Sequence, residues 1–174
     1  MSLNPFSWTF RSQCLAGFAI CAALIGFAIF SQFAWGLEPC PLCIFQRLAF
    51  AGLALVFLIG GLHAPRGPGG RRAYAGLLTL AGVIGIGIAG RHVWLQSLPP
   101  DAAPSCGPPL SFLQETMGPM ELVRRVLTGT GDCGTVDWTL FGLSMPVWSL
   151  VAFVLLTGWG LYAALRRRKG RNRY

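Results

Sequence analysis

Charge is what this chain has least of. Of its 174 residues only 11% are Asp, Glu, Lys or Arg, and only six are acidic. A water-soluble domain carries about a quarter charged residues, so an ordinary soluble globule is excluded. What fills the chain instead is apolar: 53% of residues are hydrophobic, in long runs. A polytopic membrane protein, one helical domain over residues 1–174, is the natural class. The net charge of +8 raises the question of nucleic acid. The basic residues, however, sort to one side of the apolar runs, as in a membrane protein, and nucleic acid is not an expected partner.

Crossing the hydrocarbon takes about 20 apolar residues. Four stretches qualify, at about 12–33, 44–62, 73–93 and 146–165. Each must be helical, because lipid offers a lone segment no other way to satisfy its backbone. The first lacks a clean small-x-small cleavage site after its long apolar core, so an uncleaved span is expected rather than a signal peptide. The loops lack acid on one side altogether. Arg11, then Arg66, Arg71 and Arg72, then Arg166, Arg167, Arg168, Lys169, Arg171 and Arg173 share one side, while Glu38, Asp101, Glu115, Glu121, Asp132 and Asp137 share the other. The positive-inside rule makes the basic side cytoplasmic. Both termini are then inside, and two loops face outward, about 34–43 and 94–145. The basic tail reads as a topology anchor that also attracts anionic lipid. His63, in a Pro/Gly-rich inner loop, is expected to be solvated.

The third span carries small residues four apart, at Ala81, Gly85 and Ala89, with Gly82 and Gly90 beside them. Small residues at that interval let helices approach closely, which suits a compact four-helix bundle. No longer internal repeat is present.

Six cysteines suggest an oxidising compartment on at least one face. Cys14 and Cys21 lie within the first span without further metal ligands nearby, and read as packing residues. The other four lie outside: Cys40 and Cys43 in the first outer loop, Cys106 and Cys133 in the second. Cys40-Pro41-Leu42-Cys43 is a Cys-x-x-Cys pair at a membrane surface, a pattern that favours redox exchange over stapling. Zinc is a weak alternative, because Cys106 and Cys133 lack close ligand spacing, and no metal is expected. Two static disulfides and one exchange-active relay both remain open on composition. Arg47 tips the balance towards exchange, since a charge near the end of a span tends to be functional, although an arginine there can also snorkel. Prolines at 99, 100, 104, 108 and 109 keep Cys106 out of regular structure and suit it to meet a partner. Leu113, Met117, Met120, Val123 and Leu127 recur at three- and four-residue spacing. They predict a short helix on the membrane surface, bent or broken at Pro119; a small packed loop domain is the alternative.

Taken together, Cys40-Pro41-Leu42-Cys43-Ile44-Phe45-Gln46-Arg47, His92-x-x-Leu95-Gln96, Gly131-Asp132-Cys133 and Gly142-Leu143-Ser144-Met145-Pro146-x-Trp148 resemble the DsbB family of bacterial inner-membrane disulfide-forming proteins. The resemblance runs nearly the whole chain, in order and topology. It implies an all-α, four-transmembrane-helix oxidoreductase with its cysteines on the periplasmic face. Cys106 and Cys133 would oxidise a periplasmic DsbA-like thioredoxin-fold partner, with Cys106 making the mixed disulfide. Cys133 would exchange with Cys40, and Cys43 would face a membrane quinone, ubiquinone or another. Arg47 would stabilise the Cys43 thiolate and the quinone oxygen. His92 would lie near the quinone head group, a polar anchor at the interface being its plain alternative. The rival readings are a vitamin-K-epoxide-reductase-like quinone-linked thiol enzyme and a non-catalytic scaffold with two structural disulfides.

Overall fold

The computed structural model describes residues 8–36, 40–98, 118 and 139–166. Cys106, Cys133 and the surface helix expected between them lie outside those residues. Among the described residues the chain forms α1 (Phe10–Trp35), α2 (Pro41–His63), α3 (Pro68–Gln96), a hairpin of β1 (Thr139–Leu140) and β2 (Leu143–Ser144), and α4 (Met145–Leu165). All four helices are long and apolar enough to cross a membrane, so the fold is a four-transmembrane-helix bundle.

Every expected span lies inside its helix, and each helix runs past its span. The ends are set by capping rather than by hydropathy. Thr9 Oγ1 accepts the Ser12 N–H at 3.2 Å to open α1, and Gly36, at φ 65°, closes it. Proline stands in the first turn of α2, α3 and α4, where its missing N–H leaves no helical bond unmade. The outer loop expected over 34–43 is correspondingly shorter, because Pro41, Leu42 and Cys43 are already helical.

The buried face of α2 includes Leu42, Gln46, Phe50, Leu53, Phe57 and Gly60; that of α3 includes Leu78, Gly82, Gly85, Ala89 and His92. Both follow the three- and four-residue spacing of one helix face. A Cβ on Gly82 would overlap Thr157 of α4, and one on Gly85 would overlap the Phe153 ring. Phe153 in turn stacks on Phe50 of α2, with ring centroids 3.8 Å apart. Three helices therefore meet in one layer. The contact line on α3 runs through Gly82, Gly85 and Ala89, while Ala81 and Gly90 are only half-buried. Cys14 and Cys21 are fully buried in this core. On the outside, Phe30, Phe33, Leu48 and Leu155 are exposed, as lipid-facing positions should be.

At the end of the bundle away from Cys40, Arg71 donates to the carbonyl oxygens of Ala163 and Arg166, both at 3.2 Å. Its guanidinium also lies 4.9 Å from the Phe10 ring centroid. A cation on the last carbonyls of α4 complements the negative end of that helix. His63 is exposed but not merely solvated: its Nδ1 is 3.0 Å from the Tyr74 hydroxyl.

Candidate redox site

The site begins with the way α2 starts. Cys40 is the N-cap: its Sγ accepts the Cys43 N–H at 3.3 Å. Pro41 follows at the first helical position. The sulfur that caps the helix therefore sits at the positive end of the macrodipole, where negative charge is favoured. Cys43 is one turn on, and the two Sγ atoms are 2.9 Å apart. Both cysteines are half-buried. Leu42 and Leu95 pack beneath them as a small apolar floor with Phe45, Ile88 and Leu98.

His92 comes to this pair from the end of α3. It is 2% exposed, with Nε2 3.7 Å from Cys40 Sγ. Its Nδ1 is 2.9 Å from Gln46 Nε2, and Gln46 is also buried. An amide N–H pointing at Nδ1 makes that nitrogen the acceptor, which puts the ring proton on Nε2, facing the sulfur. Cys40, Cys43 and His92 have their ligand atoms within 4.8 Å of one another.

Arg47 points elsewhere. Nη1 donates to Gln32 Oε1 at 2.8 Å and Nη2 to the Ala28 carbonyl at 2.9 Å, both on α1. Those two bonds use two of the five guanidinium N–H donors. On the lipid side of this stretch of α1 stand exposed aromatic rings, Phe27, Phe30 and Trp35, with Trp35 edge-on to both phenylalanines.

The remaining motif residues support the site's rim. Phe141 (φ 53°) and Gly142 (φ 77°) make the turn between β1 and β2, the double positive φ of a tight hairpin. Ser144 Oγ donates to Gln96 Oε1 at 2.7 Å, tying the hairpin to the end of α3. Trp148 Nε1 donates to the Leu140 carbonyl at 3.2 Å, tying it to α4.

Of the six residues singled out from sequence, the structure brings Cys40, Cys43 and His92 together. It turns Arg47 towards α1, and Cys106 and Cys133 fall outside the described residues. Sequence reasoning missed Gln46 and Gln32. Gln46 left a signal: it shares the buried face of α2 with Leu42 and Phe50, and a buried amide needs a partner.

A family model described as "Disulfide bond formation protein DsbB" matches residues 10–163. The chain is 61% identical over 170 residues to the "Disulfide bond formation protein B" of Xanthomonas campestris pv. campestris (strain 8004), covering 98% of this chain and 99% of that one. It is 59% identical over 167 residues to the protein of the same name in Xanthomonas euvesicatoria pv. vesicatoria (strain 85-10), covering 96% and 97%. To the same-named protein of Xylella fastidiosa (strain 9a5c) it is 55% identical over 169 residues, covering 96% and 98%.

Proposed function

The chain belongs to the DsbB family of disulfide bond formation proteins, and from that premise we propose that it is a protein-dithiol:quinone oxidoreductase of the bacterial inner membrane. It takes two electrons and two protons from a periplasmic DsbA-like dithiol protein and delivers them to a membrane quinone. The donor leaves with a disulfide. Both termini are cytoplasmic and the four working cysteines are periplasmic, a reading supported by the sorting of basic and acidic residues.

The observation that carries this reading is the Cys40–Cys43 pair: two sulfurs in contact at a helix N-terminus, beside a buried histidine and at the mouth of a membrane bundle. Exchange proceeds by thiolate attack on a disulfide sulfur. A donor thiolate attacks Cys106 of a Cys106–Cys133 disulfide, and Cys133 leaves. The donor's second thiolate then releases Cys106. Cys133 next attacks Cys40 of a Cys40–Cys43 disulfide, and Cys43 leaves; Cys106 then displaces Cys40 from Cys133. The inner pair now holds the two electrons. The quinone supplies the oxidising power when bound. Arg47 would place positive charge beside its oxygen at a low-dielectric boundary, and Cys43 would be the sulfur nearest to it.

Trapping tests the first step. A donor lacking its second, resolving cysteine should accumulate as a mixed disulfide on Cys106, located by peptide mapping. Capture on Cys43 instead would reverse the proposed electron path.

A further inference from the structure

We infer that His92 is a catalytic hydrogen-bond donor to the Cys40 thiolate, and that Gln46 is the positioning residue that holds its imidazole in the required tautomer. The inference rests on the exchange reading above.

Three observations converge on it. His92 Nε2 faces Cys40 Sγ at 3.7 Å, within the long contact range of sulfur. Gln46 Nε2 is 2.9 Å from Nδ1 on the other side of the ring. Both His92 and Gln46 are almost completely buried, so water does not set the ring's orientation. The ring is thus fixed at one nitrogen and aimed with the other, the arrangement by which a partner decides which imidazole nitrogen carries the proton. Cys40 already accepts the Cys43 N–H at the start of α2. His92 adds a second donor to the same sulfur.

The step it serves can be written in full. When Cys106 attacks Cys133 of the Cys133–Cys40 mixed disulfide, the Cys106–Cys133 bond forms and the Cys133–Cys40 bond breaks. The electron pair of the broken bond goes to Cys40 Sγ, which leaves as a thiolate. The Nε2–H of His92 is where that charge is received. A better leaving thiol leaves faster, and a donor that bonds the charged form only lowers the barrier to it.

Few other ionisable groups face the ring among the described residues. From α2 they are Cys40 and Cys43, Arg47 being bonded to α1. On α3 itself Arg91 adjoins it, with its guanidinium 4.3 Å from the Trp94 ring centroid. The hairpin and the first turns of α4 contribute no ionisable side chain.

The test is peptide-resolved alkylation of the fully reduced, full-length protein in detergent, following Cys40 and Cys43 separately from about pH 5 to pH 10, a range that brackets imidazole and thiol titration. It needs neither donor nor quinone, so its outcome is independent of whether the wild type turns over; absence of quinone turnover would sink the function, not this inference. In His92→Phe, alkylation of Cys40 at neutral pH should slow about tenfold, the scale of one lost hydrogen bond to a charged atom, while Cys43 changes much less. His92→Gln, which keeps an N–H donor, should recover part of the loss and remove the imidazole's step from the Cys40 pH profile. Gln46→Leu should fall between the wild type and His92→Phe. An unchanged Cys40 profile in either His92→Phe or Gln46→Leu would overturn the inference. So would equal slowing of Cys40 and Cys43, which would mark general damage to the site.

Discussion

Replacing Arg47 by glutamine separates two roles that the structure lets one side chain hold. Its two bonds to α1, at 2.8 and 2.9 Å, make it a strap between α1 and α2. Hydrogen bonds between membrane helices average about 0.6 kcal/mol and reach about 1.7, so losing both should cost about 1–3 kcal/mol of bundle stability. The quinone role is a different quantity. Losing a charge-assisted hydrogen bond to an oxygen that gains negative charge costs about 1.5–3 kcal/mol, or about 10- to 100-fold in kcat/KM for quinone. Gln32→Leu is the control, because it removes one strap bond and leaves the guanidinium. The assay is initial rates across quinone concentrations for both variants, in preparations shown to be folded and inserted, with disulfide exchange against the protein donor measured alongside. Arg47→Gln should lose quinone efficiency and keep donor exchange, Arg47→Lys should recover part of the loss because it restores charge without the planar fork, and Gln32→Leu should change stability more than quinone kinetics. Unchanged quinone kinetics in Arg47→Gln would reduce Arg47 to a strap.

Replacing Cys14 and Cys21 together by alanine should leave most activity, measured as turnover per folded protein, since both are buried away from the redox pair; a folded but dead double variant would break the division of the cysteines by location. Gly85→Ala drives a methyl into the Phe153 ring that stacks on Phe50, and should destabilise the bundle by about 1–3 kcal/mol in detergent unfolding, whereas Gly87→Ala, with open space around it, should be close to neutral. Reporter fusions after His63 and after Arg168 should read cytoplasmic, and fusions between Cys106 and Cys133 periplasmic; an outside signal from the tail would invert the topology.

The spans were legible because hydrocarbon is a strict solvent: a run of about 20 apolar residues has few alternatives. Their ends were less so, because capping decides them. Cys40-Pro41 is a helix start in which sulfur replaces the usual oxygen cap, and hydropathy passes over it. The motif cysteines of the first loop were readable, and so was the presence of Arg47 and His92. What each of those two touches was not, since it depends on how the faces of α1, α2 and α3 turn towards one another. One residue's rotation separates Gln46, which meets His92 on α3, from Arg47, which meets Gln32 on α1. Pattern alone does not choose between those neighbours.

The central claim is that electrons cross from a dithiol protein to a quinone through Cys40 and Cys43. The direct measurement is an anaerobic single turnover with reduced thioredoxin-fold donor, following quinone loss by absorbance and donor disulfide by thiol labelling in the same sample. The account predicts one quinone reduced for each donor disulfide formed, and none when Cys40 or Cys43 is replaced by serine. Donor oxidation without quinone loss, or quinone reduction that survives either substitution, would contradict it.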